Sequence, residues 1–431
     1  MRQANIQSFS RQSIGPAGTM FLKQSGNPAG LLSCMASLAL AFLLLGLPAL
    51  AALDSSGELT GYRAPLVAVV ALSLQAALWL SGCPKLPDRI ALALLLLGLQ
   101  VIIFAAEALA RPWTTEYATW KLLGFAIFGL FPAVLVALNY TAEPRRIQHL
   151  LIGLFVMAIL PNVLMLPTHP ELLDPMHAAE QLYLMGGNPI PVSRGFGTAA
   201  LLSIFYSTTG GMRRRVLCAS TAVAMILAQF VVGERGPILA LLIAVLVIPS
   251  SMKRRIQLVS LMAALAMIAV ISGLQHPNHK FSMEAVQDDG RVNIIEWGLE
   301  VFTQQPLIGA GLGSFYLPNG NREYLHNLEG ELATETGLIG LAAFAGFLFV
   351  LWQCRNQVRT PLTTCTLALT VYWFAAAQVS GDIVSNGMCW VTAMLWACSQ
   401  FQAAQPVSLG FFGFAPSGAQ PSGTQPKITA R

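Results

Sequence analysis

The sequence predicts an all-α, polytopic membrane protein of about twelve transmembrane helices. Of its 431 residues, 55% are hydrophobic and only 10% are charged, whereas a soluble globular chain carries about 25% charge. Apolar runs recur from Leu31 to Phe401, and many have the length of roughly 20 residues that a helix needs to cross a bilayer. Basic segments follow these runs at alternate positions. The chain therefore lacks the polar surface of a soluble multidomain protein.

The apolar runs divide the chain into three parts. Residues 1–30 are predicted to be a cytoplasmic tail, 31–403 the membrane domain, and 404–431 a disordered cytoplasmic tail rich in Pro, Gly, Ser and Gln. The first apolar run is too long for a signal peptide, so we interpret it as a retained membrane helix. The predicted helices span residues 31–52, 64–82, 90–109, 119–139, 149–166, 196–211, 216–232, 236–250, 256–274, 336–353, 362–380 and 387–403.

The distribution of charge predicts the orientation. One side of the membrane, with both tails, holds 17 of the 25 Lys and Arg residues, and the other side holds 18 of the 20 Asp and Glu residues. The positive-inside rule makes the basic side cytoplasmic, so the net charge of +5 reflects orientation rather than a nucleic-acid partner. The outer side carries two long loops, 167–195 and 275–335, the second between predicted helices nine and ten. Loops of this length are usually functional, and the second is expected to form short helices near 294–302 and 325–335.

Three arginines lie at outer membrane borders: Arg194, Arg235 and Arg291. Pro237 suits the first turn of a helix, and the exposed amides of that turn favour an anion beside the guanidinium of Arg235. A border arginine also commonly reaches lipid headgroups, and Glu234 is placed to neutralise Arg235. Because this side is otherwise poor in basic residues, the three arginines together favour an anionic ligand such as a phosphate.

His326, in the 275–335 loop, is the candidate general base. A neutral imidazole near pH 7 can take a proton from a hydroxyl group, and Glu329, one turn further on, is placed to orient the ring. The alternative is a loop histidine without a catalytic role.

The sequence contains no convincing metal or nucleotide motif. His276 and His279 flank Pro277, which prevents a regular helical pair of ligands, so Asp54 and Glu58 in the first outer loop are the remaining metal candidates. No Walker A loop, HExxH or paired CxxC is present. We therefore expect neither a metal nor another cofactor.

Several motifs resemble the signature of the bacterial O-antigen ligase and polymerase superfamily. Members carry P-L-x-G-x-G-x-G-x-F, an H-N pair in a large periplasmic loop, and E-x-G-x-x-G-L entering the next helix. The corresponding residues are 306–315, His326 with Asn327, and 335–341, preceded by Arg291 with Trp297 and by Arg235 with Gly236. One departure is Glu234, where the family more often has a small hydroxyl residue.

The resemblance implies a metal-independent, inverting glycosyl transfer at the periplasmic face of the bacterial inner membrane. The donor would be a glycan on undecaprenyl pyrophosphate, and the acceptor lipid A–core or a second lipid-linked glycan. It further implies that Arg235 and Arg291 hold the pyrophosphate, with Arg194 as a third candidate. His326 would activate the acceptor hydroxyl, with Asn327 and Glu329 in support.

Three functions remain open from the sequence. A ligase would move a finished glycan onto lipid A–core, whereas a polymerase would join lipid-linked units. A flippase for lipid-linked sugars would favour charges near the middle of the membrane, but Glu107 and Lys121 lie near helix ends and Asp382 near an outer turn. The single large loop with one H-N pair favours the ligase, and the roles of Glu234 and Asp382 stay unassigned.

Overall fold

The computed structural model describes residues 28–53, 64–82, 85–110, 115–141, 143–165, 189–208, 211–232, 234–248, 291–314, 325–355 and 360–402, together with three single positions between 248 and 291. All regular secondary structure in these residues is helical, which confirms the all-α part of the predicted fold class. The described residues leave out 1–27 and 403–431, nearly all of the ninth predicted helix, 167–188 of the first predicted outer loop, and 275–290 and 315–324 of the second.

Twelve helices are described, two of which continue through a short π-helical segment. They are α1 (Pro28–Ala41, continued through Phe42–Gly46 and Leu47–Leu53), α2 (Ala64–Leu80), α3 (Asp88–Ala110), α4 (Thr115–Phe125, continued through Ala126–Leu130 and Phe131–Tyr140), α5 (Pro144–Met165), α6 (Pro189–Ser207), α7 (Met212–Val232), α8 (Arg235–Val245), α9 (Arg291–Gln304), α10 (Leu328–Gln353), α11 (Pro361–Ala377) and α12 (Met388–Gln402).

Five of the described helical stretches are long and apolar enough to cross a membrane. They are Ala29–Leu50, Asp88–Ala110, Tyr117–Tyr140, Met212–Val232 and Leu328–Gln353. Helix α3 shows the surface expected of such a span, since Leu95, Ile102 and Leu109 are each at least 66% exposed. Water would penalise this apolar surface and lipid does not, so the chain is a multi-pass membrane protein. The exact count of twelve spans stays a prediction, because α9 falls inside the predicted 275–335 loop and the ninth predicted helix is not described.

Helices α11 and α12 pack against each other at the centre of the molecule, with α8 against α11 and α4 against α12. The fully buried Trp390 ring of α12 lies 4.9 Å from the ring of Phe125 and 5.7 Å from that of Phe344, measured between centroids. Aromatic rings in such tilted or edge-on contacts stabilise a core beyond the area that they bury. The central position of α11 and α12 places the turn between them, residues 378–387, among the ends of neighbouring helices.

Two of the differences from the predicted helix boundaries affect the candidate site. Helix α6 begins at Pro189, seven residues before the predicted start at 196, because proline is well suited to a first helical turn. Arg194 therefore lies inside α6 rather than ahead of it. Helix α10 joins the predicted short helix 325–335 to the predicted span 336–353, with a break at Gly337, whose φ of 63° and ψ of −162° are not helical.

Candidate active site

His326 directly precedes α10 and has an unusual backbone. Its φ is 54°, and it is the one residue other than glycine with a positive φ in the part of the chain that the structure describes. Asn327 follows as the N-cap: its Oδ1 accepts from the Gly330 amide at 2.7 Å, and its Nδ2 donates to the carbonyl and side-chain oxygens of Gln378 at 3.2 and 3.0 Å. These bonds hold His326, the residue with the left-handed backbone, between α10 and the 378–387 turn. Strained residues of this kind persist where the surrounding structure holds them, and they cluster at active sites.

Glu329 lies in the first turn of α10, within the stretch 325–335 that the sequence predicted to be a short helix. Its side chain is half-buried and lies beside Gln378, the residue that hydrogen-bonds Asn327. Glu329 is therefore located where the start of α10 meets the 378–387 turn.

The glycine segment, residues 306–314, forms a backbone clamp on the break in α10. The amides of Leu338 and Ile339 donate to the carbonyls of Pro306 and Leu307 at 2.9 and 3.2 Å, and those of Ala310 and Gly311 donate to residues 334 and 335 at 2.7 and 3.0 Å. A Cβ at Gly309 would lie 2.5 Å from the Glu335 carbonyl oxygen, so a side chain there would separate the two backbones. The glycines of the motif thus allow the two backbones to approach closely. Two of them also have a positive φ, 75° at Gly309 and 68° at Gly313, which glycine adopts without strain.

Arg194 is buried against the 378–387 turn. Only 2% of its surface is exposed, and its guanidinium donates to the carbonyls of Ser385 at 3.0 Å, Ser380 at 2.6 Å and Ala376 at 3.2 Å. The same group lies 5.6 Å from the ring centroid of Trp373. Because its donors are directed to backbone oxygens inside the protein, Arg194 stabilises the turn, and we leave it out of the phosphate-binding set proposed below.

Arg235 is the first residue of α8, which begins beside the same turn. A Cβ at Gly236 would come within 2.7 Å of the Val379 side chain, so the start of α8 packs closely on residue 379. Glu234 is the N-cap residue and is buried, but its side chain makes no capping hydrogen bond to the helix amides. Arg235 itself is half-buried. The amides of the first turn and the guanidinium are therefore at the same helix end, an arrangement that favours an anion.

Arg291 begins α9, and the structure describes its backbone position only. Helix α9 packs on the first half of α10: the Thr334 hydroxyl reaches the carbonyl of Gly298 at 3.5 Å, and Gly298 leaves room for Leu325, the residue before His326. The start of α9 and the start of α10 thus belong to one packed unit.

Residues 220–345 match the model of a protein family described as O-antigen ligase. This part of the chain is therefore similar to O-antigen ligases. The matched region contains Arg235, Arg291, the glycine segment and His326 with Asn327, so the superfamily resemblance seen in the sequence is confirmed. Among curated proteins, no match to the chain is found.

Several parts that hold the site together lie outside the matched O-antigen ligase region. The 378–387 turn contacts Asn327, Glu329 and Gly236, and it is held in turn by Arg194. Within it, Asp382 Oδ1 accepts from the Ser385 amide at 2.8 Å, which gives Asp382 a role in the shape of the turn. The sequence marked Asp382 only as an acidic residue near an outer turn, and a tertiary contact is not visible in local patterns.

The sequence prediction also missed a buried ion cluster that joins Lys121 to two glutamates of the matched region. The Lys121 ammonium lies 2.5 Å from Glu335 Oε1 and also binds Glu331 Oε1, and all three side chains are at most 1% exposed. Two signals in the sequence point to it: a single lysine in an apolar run, and two glutamates four residues apart, which share a helix face. The sequence does not show that the lysine and the two glutamates are in contact.

The described residues contain no group of three or more His, Cys, Asp or Glu side chains placed to hold a metal ion. The metal candidates Asp54 and Glu58, and the pair His276 and His279, lie outside the described residues. Metal independence therefore remains a prediction.

Proposed function

We propose that the protein transfers a glycan from undecaprenyl pyrophosphate to lipid A–core at the periplasmic face of the bacterial inner membrane, without a metal and with inversion. The observation that carries this proposal is the strained, capped conformation of His326 inside the region that matches the O-antigen ligase family. A backbone that is held against its own preference indicates that the position of the ring matters.

In the proposed reaction, the acceptor hydroxyl attacks the anomeric carbon of the donor glycan from the face opposite the pyrophosphate. The hydroxyl proton passes to the imidazole of His326 as the new carbon–oxygen bond forms. The bond from the anomeric carbon to the pyrophosphate oxygen breaks, and undecaprenyl pyrophosphate leaves with the electron pair. Arg235, with the amides of the first turn of α8, and Arg291 stabilise the charge that collects on the leaving group.

A lipid-linked donor also agrees with the place of these groups in the fold. Arg235 begins α8 and His326 precedes the membrane span of α10, so both lie at ends of helices rather than deep within them. A donor whose polyprenyl tail stays in the bilayer can present its pyrophosphate at this level.

The test is a reconstituted reaction with purified protein, lipid-linked glycan donor and lipid A–core, followed by chromatography of the products. We expect polysaccharide on lipid A–core. A longer lipid-linked polymer, formed equally well without lipid A–core, would establish the polymerase instead. Movement of intact donor across vesicles without a new glycosidic bond would establish the flippase.

The matched pair of variants is His326→Asn and His149→Asn. His149 is a half-buried histidine of α5 that hydrogen-bonds Ser33 at 3.0 Å, far from α10 in the chain. Loss of a general base costs about 100- to 10,000-fold in rate. We expect that loss in the first variant and turnover close to that of the wild type in the second.

A further inference from the structure

The ion cluster, Lys121 with Glu331 and Glu335, ties α4 to the beginning of α10. Its three side chains are almost completely buried, and it holds one ammonium group against two carboxylates. Removing one partner from a buried charge group is strongly destabilising, because the remaining charge is left without compensation. The ammonium therefore holds the two carboxylates, and the helix turns that carry them, in one place.

Both carboxylate residues are connected to the His326 backbone or to the segment that clamps α10. The Glu331 amide donates to the Asn327 carbonyl at 2.9 Å, within the turn that Asn327 caps. The Glu335 carbonyl accepts from the Gly311 amide at 3.0 Å, and the Glu335 carboxylate lies next to the backbone of Gly313. The position of Lys121 thus affects the first turn of α10 and the glycine segment at once.

Helix α4 also touches the glycine segment directly. A Cβ at Gly313 would lie 3.0 Å from the Tyr117 ring and 3.2 Å from the Ala118 amide, so the segment rests on the first turns of α4. Lys121 lies one turn further along α4 than Tyr117, with its ammonium 5.2 Å from the Tyr117 ring centroid. Helix α4 is therefore attached to the glycine segment and, through the ion cluster, to α10 at adjoining positions.

We propose that Lys121 is a positioning residue for glycosyl transfer: its ion pairs with Glu331 and Glu335 fix the start of α10 and thereby the position of His326. Its side chain is buried, so it acts through the backbone of α10 and not on the substrate. A displacement of about 1 Å at a reacting group can cost about 100-fold in rate. This inference rests on the proposed function, in which His326 is the base.

The experiment compares Lys121→Met with Lys85→Met, which removes the same charge from an exposed lysine between α2 and α3. Two measurements are made on each purified variant: kcat and KM for the lipid-linked donor, and the rate at which diethylpyrocarbonate modifies His326, followed by mass spectrometry. In Lys121→Met we expect kcat to fall by about 10- to 100-fold with little change in KM, and His326 to be modified several-fold faster. In Lys85→Met we expect both readouts to equal those of the wild type.

A second variant, Lys121→Met with Glu331→Gln and Glu335→Gln, removes all three charges and keeps similar side-chain volumes. It covers the case in which the single variant does not fold, because no buried charge is left without a partner. We expect it to insert and to retain the lower kcat and the faster modification of His326. Wild-type kcat and modification rate in this triple variant would overturn the proposal, and so would failure of both variants to insert, since the cluster would then serve folding alone.

The modification rate keeps this test separate from the test of the proposed function. If the wild-type protein transfers no glycan, the proposed function fails, but a faster modification of His326 in Lys121→Met still supports the attachment between Lys121 and His326. If the wild type is active and neither readout changes in Lys121→Met, the positioning role is wrong and the proposed function is unaffected.

Discussion

Replacing Gly337 with alanine should destabilise the protein strongly, because this glycine forms the break inside α10. Its φ of 63° and ψ of −162° fall in a region that is essentially restricted to glycine, at a cost of roughly 1–3 kcal/mol for another residue. A Cβ at this position would also lie 2.6 Å from the Gly309 amide nitrogen and against the carbonyl of Leu307. These neighbours are backbone atoms, so a side-chain rotation cannot relieve the collision.

The clamp must therefore open if alanine is accommodated. The hydrogen bonds from Leu338 to Pro306 and from Ile339 to Leu307 would be lost, at about 1 kcal/mol each. With the conformational cost, the expected decrease in the free energy of unfolding is about 3–5 kcal/mol. Transfer should fall as well, because the clamp holds the helix that His326 precedes.

The assay is unfolding by SDS in mixed micelles, followed by circular dichroism, with Gly98→Ala as the matched control. Gly98 lies in the middle of α3, where a Cβ would meet no atom within 4 Å. Alanine should leave that helix unchanged or stabilise it by up to about 1 kcal/mol. If Gly337→Ala and Gly98→Ala differ by less than about 1 kcal/mol, the proposed clamp role of Gly337 is refuted.

Four further predictions address the chemistry and the topology. His326→Asn should keep the wild-type unfolding free energy, since asparagine tolerates a left-handed backbone, while transfer falls about 100-fold or more; near-normal transfer would exclude the histidine as base. Arg235→Lys should impair turnover although it keeps the charge, because a single ammonium lacks the bidentate fork of a guanidinium. Arg291→Ala, which removes the charge, should abolish turnover; full activity in both variants would exclude the pyrophosphate-binding role. Transfer should continue in excess chelator, and a loss that magnesium or manganese restores would contradict metal independence. Reporter fusions at Gly313 and at the C-terminus should give opposite signals, and equal signals would break the predicted topology.

The sequence predicts the helices well because membrane helices are determined locally. A long apolar run satisfies its own backbone hydrogen bonds in lipid, so length and composition are sufficient for spans such as Asp88–Ala110 and Tyr117–Tyr140. The predicted boundary between the short helix 325–335 and the span 336–353 also lies within two residues of the observed break at Gly337.

The residues that hold the site in place could not be predicted in the same way, since they depend on contacts between residues that are distant in sequence. Lys121 meets Glu331 across 210 positions of sequence, and Arg194 meets Ser385 across 191. Neither pair has a local pattern that selects its partner. Arg194 shows the consequence, because a border arginine that suggested a phosphate ligand donates to buried backbone carbonyls instead.

This separation between reactive groups and supports determines how mutational results should be interpreted. The region that matches the O-antigen ligase family contains His326 and Arg235, whereas Lys121, Arg194 and the 378–387 turn lie outside it. Lys121 contacts α10, Arg194 holds the turn, and the turn contacts the starts of α8 and α10, so removal of any of them can silence transfer without touching either substrate. Loss of activity alone therefore cannot distinguish a base from its support. The distinction comes from the donor KM, the reactivity of the His326 ring and the free energy of unfolding, which differ between the two kinds of residue.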